Sequence, residues 1–244
     1  MSFLSVQGLS LNIQGQSILK NISLDVSEGE IIGLIGPNGS GKTTFFNVLS
    51  GFLSPSSGVI RLRKNDITRM SATNRARVGI GRVFQNFGIF RDMTLSENVL
   101  VALESLPKER RSVIGDLRKA VLSTLTMVGL QDHADKKASS LSGGQMRLLE
   151  IARTLISGKD LFLLDEPTAG VSPKMTGQIA SLILELKKKG KTVLIVEHDL
   201  PFIRKICDRV IVLDVGEVVL QGSPEEVHGN RKLKELYFGA DPTE

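Results

Sequence analysis

The sequence contains no tryptophan and a single tyrosine, and aromatic residues make up only 5% of it. A protein that binds single-stranded nucleic acid needs exposed rings on which successive bases stack, and no such platform is spread along this chain. The formal charge of +5 does not supply a basic stripe instead, because the lysines and arginines are dispersed in "RLRKNDITR", "KERR" and "KKKGK". The last of these reads as a helix end, where lysines ahead of Gly190 complement the negative pole of the helix dipole. No nucleic acid partner is expected.

Cysteine is as scarce. Cys207 alone excludes an internal disulfide and fits a reducing compartment, and within "IRKICDRVIVL" it reads as a small buried apolar residue. No apolar run reaches the roughly 18 to 20 residues that cross a bilayer, and "MSFLSVQGLSLNI" lacks the charged start, apolar stretch and cleavage site of a secretory leader. A soluble, cytoplasmic chain is expected. Internal repeats and low-complexity segments are also missing. What is present is 244 residues, 41% of them hydrophobic, enough to bury the core of one large domain or of a main domain with a smaller attachment.

From Ile31 onward, short apolar strand candidates alternate with helical patterns. "IIGLI" precedes a helix running through Leu49. "LFLLD" precedes a helix with Met175, Ile179, Leu182, Ile183 and Leu186 on one face, and "TVLIV" and "RVIVLD" follow. This alternation predicts an α/β fold with a mainly parallel sheet. The first ~30 residues and Gly58 to Leu62 carry turn residues between short alternating runs, which predicts an antiparallel β layer. Between about residues 91 and 140 the pattern turns helical: Thr94 and Glu97 form a capping box ahead of "NVLVALES", and "LRKAVLSTLTMVGL" keeps helical spacing to Gly129. This part reads as a helical subdomain inserted into a single α/β domain.

The stretch "GPNGSGKTT" follows "IIGLI" directly and has the spacing of a phosphate-binding P-loop between a strand and a helix. Gly36, Pro37, Asn38, Gly39, Ser40, Gly41, Lys42, Thr43 and Thr44 are the expected nucleotide contacts. The glycines let backbone N–H groups turn toward phosphate oxygens, Lys42 reaches the β- and γ-phosphates, Thr43 offers a hydroxyl to Mg²⁺, and the helix N-terminus adds positive potential. On its own such a loop leaves kinases, GTPases, helicases and transporters open. Asp165 ends the strand "LFLLD", where a carboxylate can hold Mg²⁺, and Glu166 points to the other side of the strand end. His198 follows "TVLIV" at the edge where ligands collect in α/β sheets. His133 and His228 lie in polar loops and carry no such expectation.

"LSGGQ" at Leu141 to Gln145, together with "LFLLDEP", makes the chain similar to the nucleotide-binding subunits of ABC (ATP-binding cassette) ATPases over residues 3 to 239. The resemblance implies ATP and Mg²⁺ as cofactors, and a second ABC ATPase subunit, the same or different, as partner. In that family Ser142, Gly143, Gly144 and Gln145 cover the γ-phosphate bound on the opposite subunit, so two chains enclose two nucleotides. It implies further that Asp165 serves the metal, Glu166 polarises the attacking water, and His198 contacts the γ-phosphate. Gln85, in "GRVFQNFGIF", matches the glutamine that joins the core to the helical insertion and reaches metal and water. Two positions depart from the family. Where an aromatic residue commonly stacks on adenine, this chain has Ile13, and where Asp often follows the catalytic strand it has Ser172, which reads as the N-cap of a helix opening with Pro173.

With no membrane span of its own, an ABC ATPase subunit implies transmembrane permease partners and a peripheral place on the cytoplasmic face of the cell membrane. "GIGRVFQNFGIFRDMTLSENVLVA", "LIVEHDLPFI" and "GSPEEV" followed by "LYFG" look most like the ATPase subunits of importers for branched-chain amino acids, with amide and urea importers next. Lipopolysaccharide-export ATPases share "AGV" and the "YFG"-like tail. A soluble ABC ATPase acting on nucleic acid or ribosomes is the rival from another class, although such proteins usually fuse two cassettes. A regulator without turnover is disfavoured by Lys42, Asp165, Glu166 and His198.

Overall fold

The computed structural model describes residues 2–84, 88–231 and 233. Strands β1 (Leu4–Ile13) and β2 (Gln16–Val26) form a hairpin in which buried and exposed residues alternate. Its two-residue turn places Gln14 and Gly15 at φ 50° and 82°, the left-handed pair that matches the twist of the flanking strands. Then come β3 (Ile31–Ile35), α1 (Lys42–Leu49), β4 (Ser57–Leu62), β5 (Asn65–Asp66), α2 (Ala72–Arg77) and β6 (Ile80–Val83). Among the described residues four α-helices follow: α3 (Leu95–Glu104), α4 (Lys108–Ile114), α5 (Leu117–Met127) and α6 (Gly143–Ile156). The chain then alternates through β7 (Leu161–Asp165), α7 (Pro173–Lys188), β8 (Thr192–Val196), α8 (Leu200–Ile206), β9 (Arg209–Asp214), β10 (Glu217–Gly222) and α9 (Pro224–Gly229).

Two sheets result. An antiparallel one has the order β2-β1-β4-β5, and a six-stranded one has the order β10-β9-β3-β8-β7-β6. The larger is parallel except for the β9/β10 hairpin, as the strand and helix alternation predicts. Because successive side chains of a strand face opposite ways, each central strand feeds two cores. Ile31 and Ile35, Phe162 and Leu164, and Val193 and Ile195 face the helices. Ile32 and Leu34, Leu161 and Leu163, and Leu194 and Val196 face α1 and the antiparallel sheet. Burial on both faces is why these strands read as unbroken apolar runs.

The local signals hold. Thr94 and Glu97 form a capping box at α3, and Ser172 caps α7 by accepting from the Met175 N–H, with Pro173 at the first helical position. Lys187 and Lys188 occupy the last turn of α7. Cys207 is buried, and burial pushes its thiol well above the ordinary range. The helices α3, α5 and α6 pack on one another through Val99, Leu103, Val121, Leu125, Leu148 and Ala152, so helix packing continues past Ser140 into α6. Arg75, 1% exposed, donates to the carbonyls of Val48 and Leu49 at 2.5 and 2.8 Å. Burial lowers its guanidinium to about 10, and its contacts fix the far end of α1 and so the direction in which α1 points its N-terminus.

Candidate nucleotide site

The loop between β3 and α1 is shaped by three left-handed glycines, Gly36, Gly39 and Gly41, at φ 150°, 81° and 104°. At Gly36 space decides as well, since a Cβ there would lie 2.0 Å from the Leu213 carbonyl oxygen of β9. Lys42, the first residue of α1 and 6% exposed, folds its ammonium back to donate to the Gly36 and Pro37 carbonyls at 2.8 Å each. Burial lowers its pKa, and the charges of Glu166 and Asp165 oppose that shift. Ser40 is buried, and its Oγ has no hydrogen-bond partner among the described residues. An orphaned buried hydroxyl costs about 1–3 kcal/mol, and a phosphate oxygen cradled by this loop would satisfy it. With no side-chain cap at the α1 N-terminus and a lysine across its mouth, the loop fits a polyanion.

At the end of β7 the two adjacent carboxylates separate. Asp165 is buried, and its Oδ2 accepts from Arg82 Nη2 at 2.9 Å. Burial pushes the Asp165 carboxyl up and the Arg82 guanidinium down, and the ion pair between them opposes both shifts. Arg82 also donates to Asn47 and Ser50 of the α1 region at 2.6 and 2.9 Å. Glu166 leaves the strand at φ 48°, a conformation that costs a non-glycine residue on the order of 1 kcal/mol or more. Its N–H donates to the Val196 carbonyl at 2.9 Å, and its Oε1 lies 2.9 Å from His198 Nε2. Adjacent strands β7 and β8 thus bring Glu166 and His198 together, with Asp165 one residue away. For a divalent cation the available groups are the exposed Thr43 hydroxyl and the Asp165 carboxylate. Hard oxygen donors of this number suit Mg²⁺ held jointly by protein and phosphate.

The signature stretch opens α6. Ser142 N–H donates to Gln145 Oε1 at 3.0 Å, and Gln145 N–H donates back to Ser142 Oγ at 3.3 Å, a reciprocal cap. Gly144 has a packing reason as well, because a Cβ there would lie 2.9 Å from Cγ of Met175 on α7. Of the other elements, α3, α5, α7 and β6 pack most against α6, and Ser142 and Gly143 stand at its N-terminus.

Gln85 lies outside the described residues, but both flanks of its segment are held by α6. The Phe84 N–H donates to Glu150 Oε1 at 3.0 Å, Arg147 donates to the Phe84 carbonyl, and Arg153 donates to the Gly88 carbonyl. Arg82, Arg147, Glu150 and Arg153 were not singled out from sequence. The available signal was charge on the apolar face of "MRLLEIARTL", where Arg147 and Glu150 are 1% and 4% exposed. Beside Phe84 and Gly88 lies a cleft of about 510 Å³ also lined by Phe52, Ala76, Val101 and Arg153. Ile13 sits 40% exposed at the tip of the β1/β2 hairpin.

A parallel sheet whose core strand runs through this loop into a helix, with a buried carboxylate ending a nearby strand, is a P-loop nucleotide-binding architecture. The family described as ABC transporter matches residues 19–169, and the chain belongs to that family. It is 39% identical, across 97% of each protein, to the high-affinity branched-chain amino acid transport ATP-binding protein LivG of Salmonella typhimurium. It is 38% identical to the lipopolysaccharide export system ATP-binding protein LptB of Acidithiobacillus ferridurans, covering 97% of this chain and 96% of that one. Among solved structures, an ATP-binding cassette of an ABC transporter in its ADP conformation superposes with a TM-score of 0.88 at 32% identity, over 98% of this chain and 100% of that one.

Proposed function

We propose that this chain is the ATP-hydrolysing subunit of an ABC transporter and that it powers uptake of branched-chain amino acids. The observation that carries the catalytic part is the Glu166 to His198 contact of 2.9 Å beside a phosphate loop with a buried lysine. Lys42 and the loop N–H groups hold the β- and γ-phosphates. Glu166 accepts a hydrogen bond from the attacking water and draws its proton as the oxygen approaches phosphorus, and His198 fixes the Glu166 carboxylate and reaches the γ-phosphate. Thr43 and Asp165, with Gln85, would hold Mg²⁺, which neutralises phosphate charge. The loop's carbonyls hold the Lys42 ammonium until a phosphate replaces them.

Two such chains close around two nucleotides, with Ser142, Gly143, Gly144 and Gln145 of one facing Lys42 of the other. The position of Ser142 at the exposed start of α6, a different element from the phosphate loop, supports this arrangement. The helical insertion over about 91–140 and the cleft beside Phe84 then face a transmembrane permease, on the cytoplasmic side of the membrane. No described helix is long and apolar enough to cross a membrane itself, in keeping with a peripheral subunit.

For cargo, the importer reading is supported by the likeness to LivG together with "EHD" at His198 and "FQN" at Gln85. The likeness to LptB supports lipopolysaccharide export as the second reading. Deleting the gene separates them. Loss of high-affinity uptake of labelled leucine, isoleucine or valine with an intact envelope supports import, and normal uptake with an envelope-assembly defect supports export.

A further inference from the structure

Glu197 is the residue after β8, and its carboxylate is buried, with the residue 3% exposed. Among the described residues it forms no ion pair, so hydrogen bonds must compensate its burial. The Thr168 N–H and hydroxyl both donate to Oε1, at 2.8 and 2.6 Å, and the His198 N–H donates to Oε2 at 3.1 Å. Thr168 lies two residues beyond Glu166, in a segment folded on itself by bonds from the Ala169 N–H to the Glu166 carbonyl and from the Val171 N–H to the Thr168 carbonyl. The contacts therefore close a ring. The chain runs from Glu166 through Pro167 to Thr168, crosses to Glu197 through its carboxylate, passes along the backbone to His198, and returns to Glu166 through the 2.9 Å side-chain contact.

We infer that Glu197 is a positioning residue for hydrolysis: by holding Thr168 with one oxygen and the His198 backbone with the other, it sets the separation of Glu166 and His198. The inference rests on the reading that those two residues act at the γ-phosphate. An acid is required because both oxygens must accept. A glutamine that keeps its oxygen toward Thr168 turns its NH₂ toward the His198 N–H, setting donor against donor.

The test uses the full chain, wild type against Glu197→Gln, with single-turnover and steady-state hydrolysis of ATP. Misplacing a catalytic pair by a fraction of an ångström costs on the order of tenfold. Glu197→Gln should therefore lower kcat about tenfold while the KM for ATP and the binding of a non-hydrolysable analogue stay within about threefold. In a His198→Ala background the same change should cost less than about twofold, because the group it positions is gone. Thr168→Val, which keeps the acid and removes one donor, should show a smaller loss with the same dependence on His198. A Glu197→Gln enzyme with kcat within twofold of wild type overturns the inference. So does a loss of equal size in the His198→Ala background. A wild-type chain that hydrolyses no ATP, alone or with its permease, overturns the site reading itself and the inference with it.

Discussion

Replacing Arg82 with methionine removes the guanidinium from between Asp165, Asn47 and Ser50 and keeps an apolar stem of similar length. The side chains of Arg82 and Asp165 are 6% and 3% exposed. Removing one member of such a buried pair leaves a charge without its counter-ion and costs about 3–5 kcal/mol. The guanidinium also packs 4.9 Å from the Phe84 ring centroid, so packing is lost as well. For a chain of this size each kcal/mol lowers Tm by about 2–4 °C, so thermal unfolding followed by circular dichroism should show a drop of about 6–20 °C. The pH dependence has a definite sign. Burial already raises the Asp165 carboxyl above its unfolded value and Arg82 opposes that shift, so the variant's folded state binds the proton more tightly than its unfolded state. The deficit should be largest at pH 8 and shrink as pH falls toward the carboxyl range. Adding Asp165→Asn should recover part of it, since the stranded charge is gone. Arg63→Met breaks two ion pairs whose side chains are 31–60% exposed and should cost at most about 1 kcal/mol per pair. An Arg82→Met protein that unfolds within 2 °C of wild type would mean that Asp165 does not depend on Arg82 as its counter-ion.

Gly36→Ala should abolish nucleotide binding or folding, read by binding of a fluorescent ATP analogue and by Tm, because its Cβ would collide with the Leu213 carbonyl oxygen at 2.0 Å. Ser172→Ala should cost about 1 kcal/mol in urea unfolding through loss of the α7 cap. Ile13 offers apolar contact without ring stacking, so competition binding should show ATP and GTP within about tenfold of each other. A preference of a hundredfold or more would mean that another side chain reads the base.

The elements were legible because their signals are local. "LFLLD" and "TVLIV" are apolar at each position but Asp165 and Thr192, since both faces of β7 and β8 are covered, and Thr94 and Ser172 cap helices through residues three further along. The glycine-rich turn between β3 and α1 was legible for the same reason. What stayed hidden depends on contacts across strands. Nothing in the spacing of Glu166 and His198 says that they meet, because neighbouring strands bring them together over a long crossover. The left-handed turn at Glu166 has no glycine to announce it. Glu197 beside a histidine and Arg82 near a strand end both resemble solvated charges, and only the fold shows that each is enclosed and bonded to a segment distant in sequence.

On the proposed function, Glu166 drives hydrolysis within a pair of chains that close on ATP. The most direct test is Glu166→Gln, which keeps the shape of the side chain and loses its basic oxygen. General-base contributions are on the order of 10² to 10⁴, so steady-state turnover should fall at least a hundredfold while ATP binding persists, and gel filtration with Mg-ATP should show an ATP-dependent dimer more abundant than in wild type. A Glu166→Gln chain that hydrolyses ATP at close to the wild-type rate would remove Glu166 from the catalytic role.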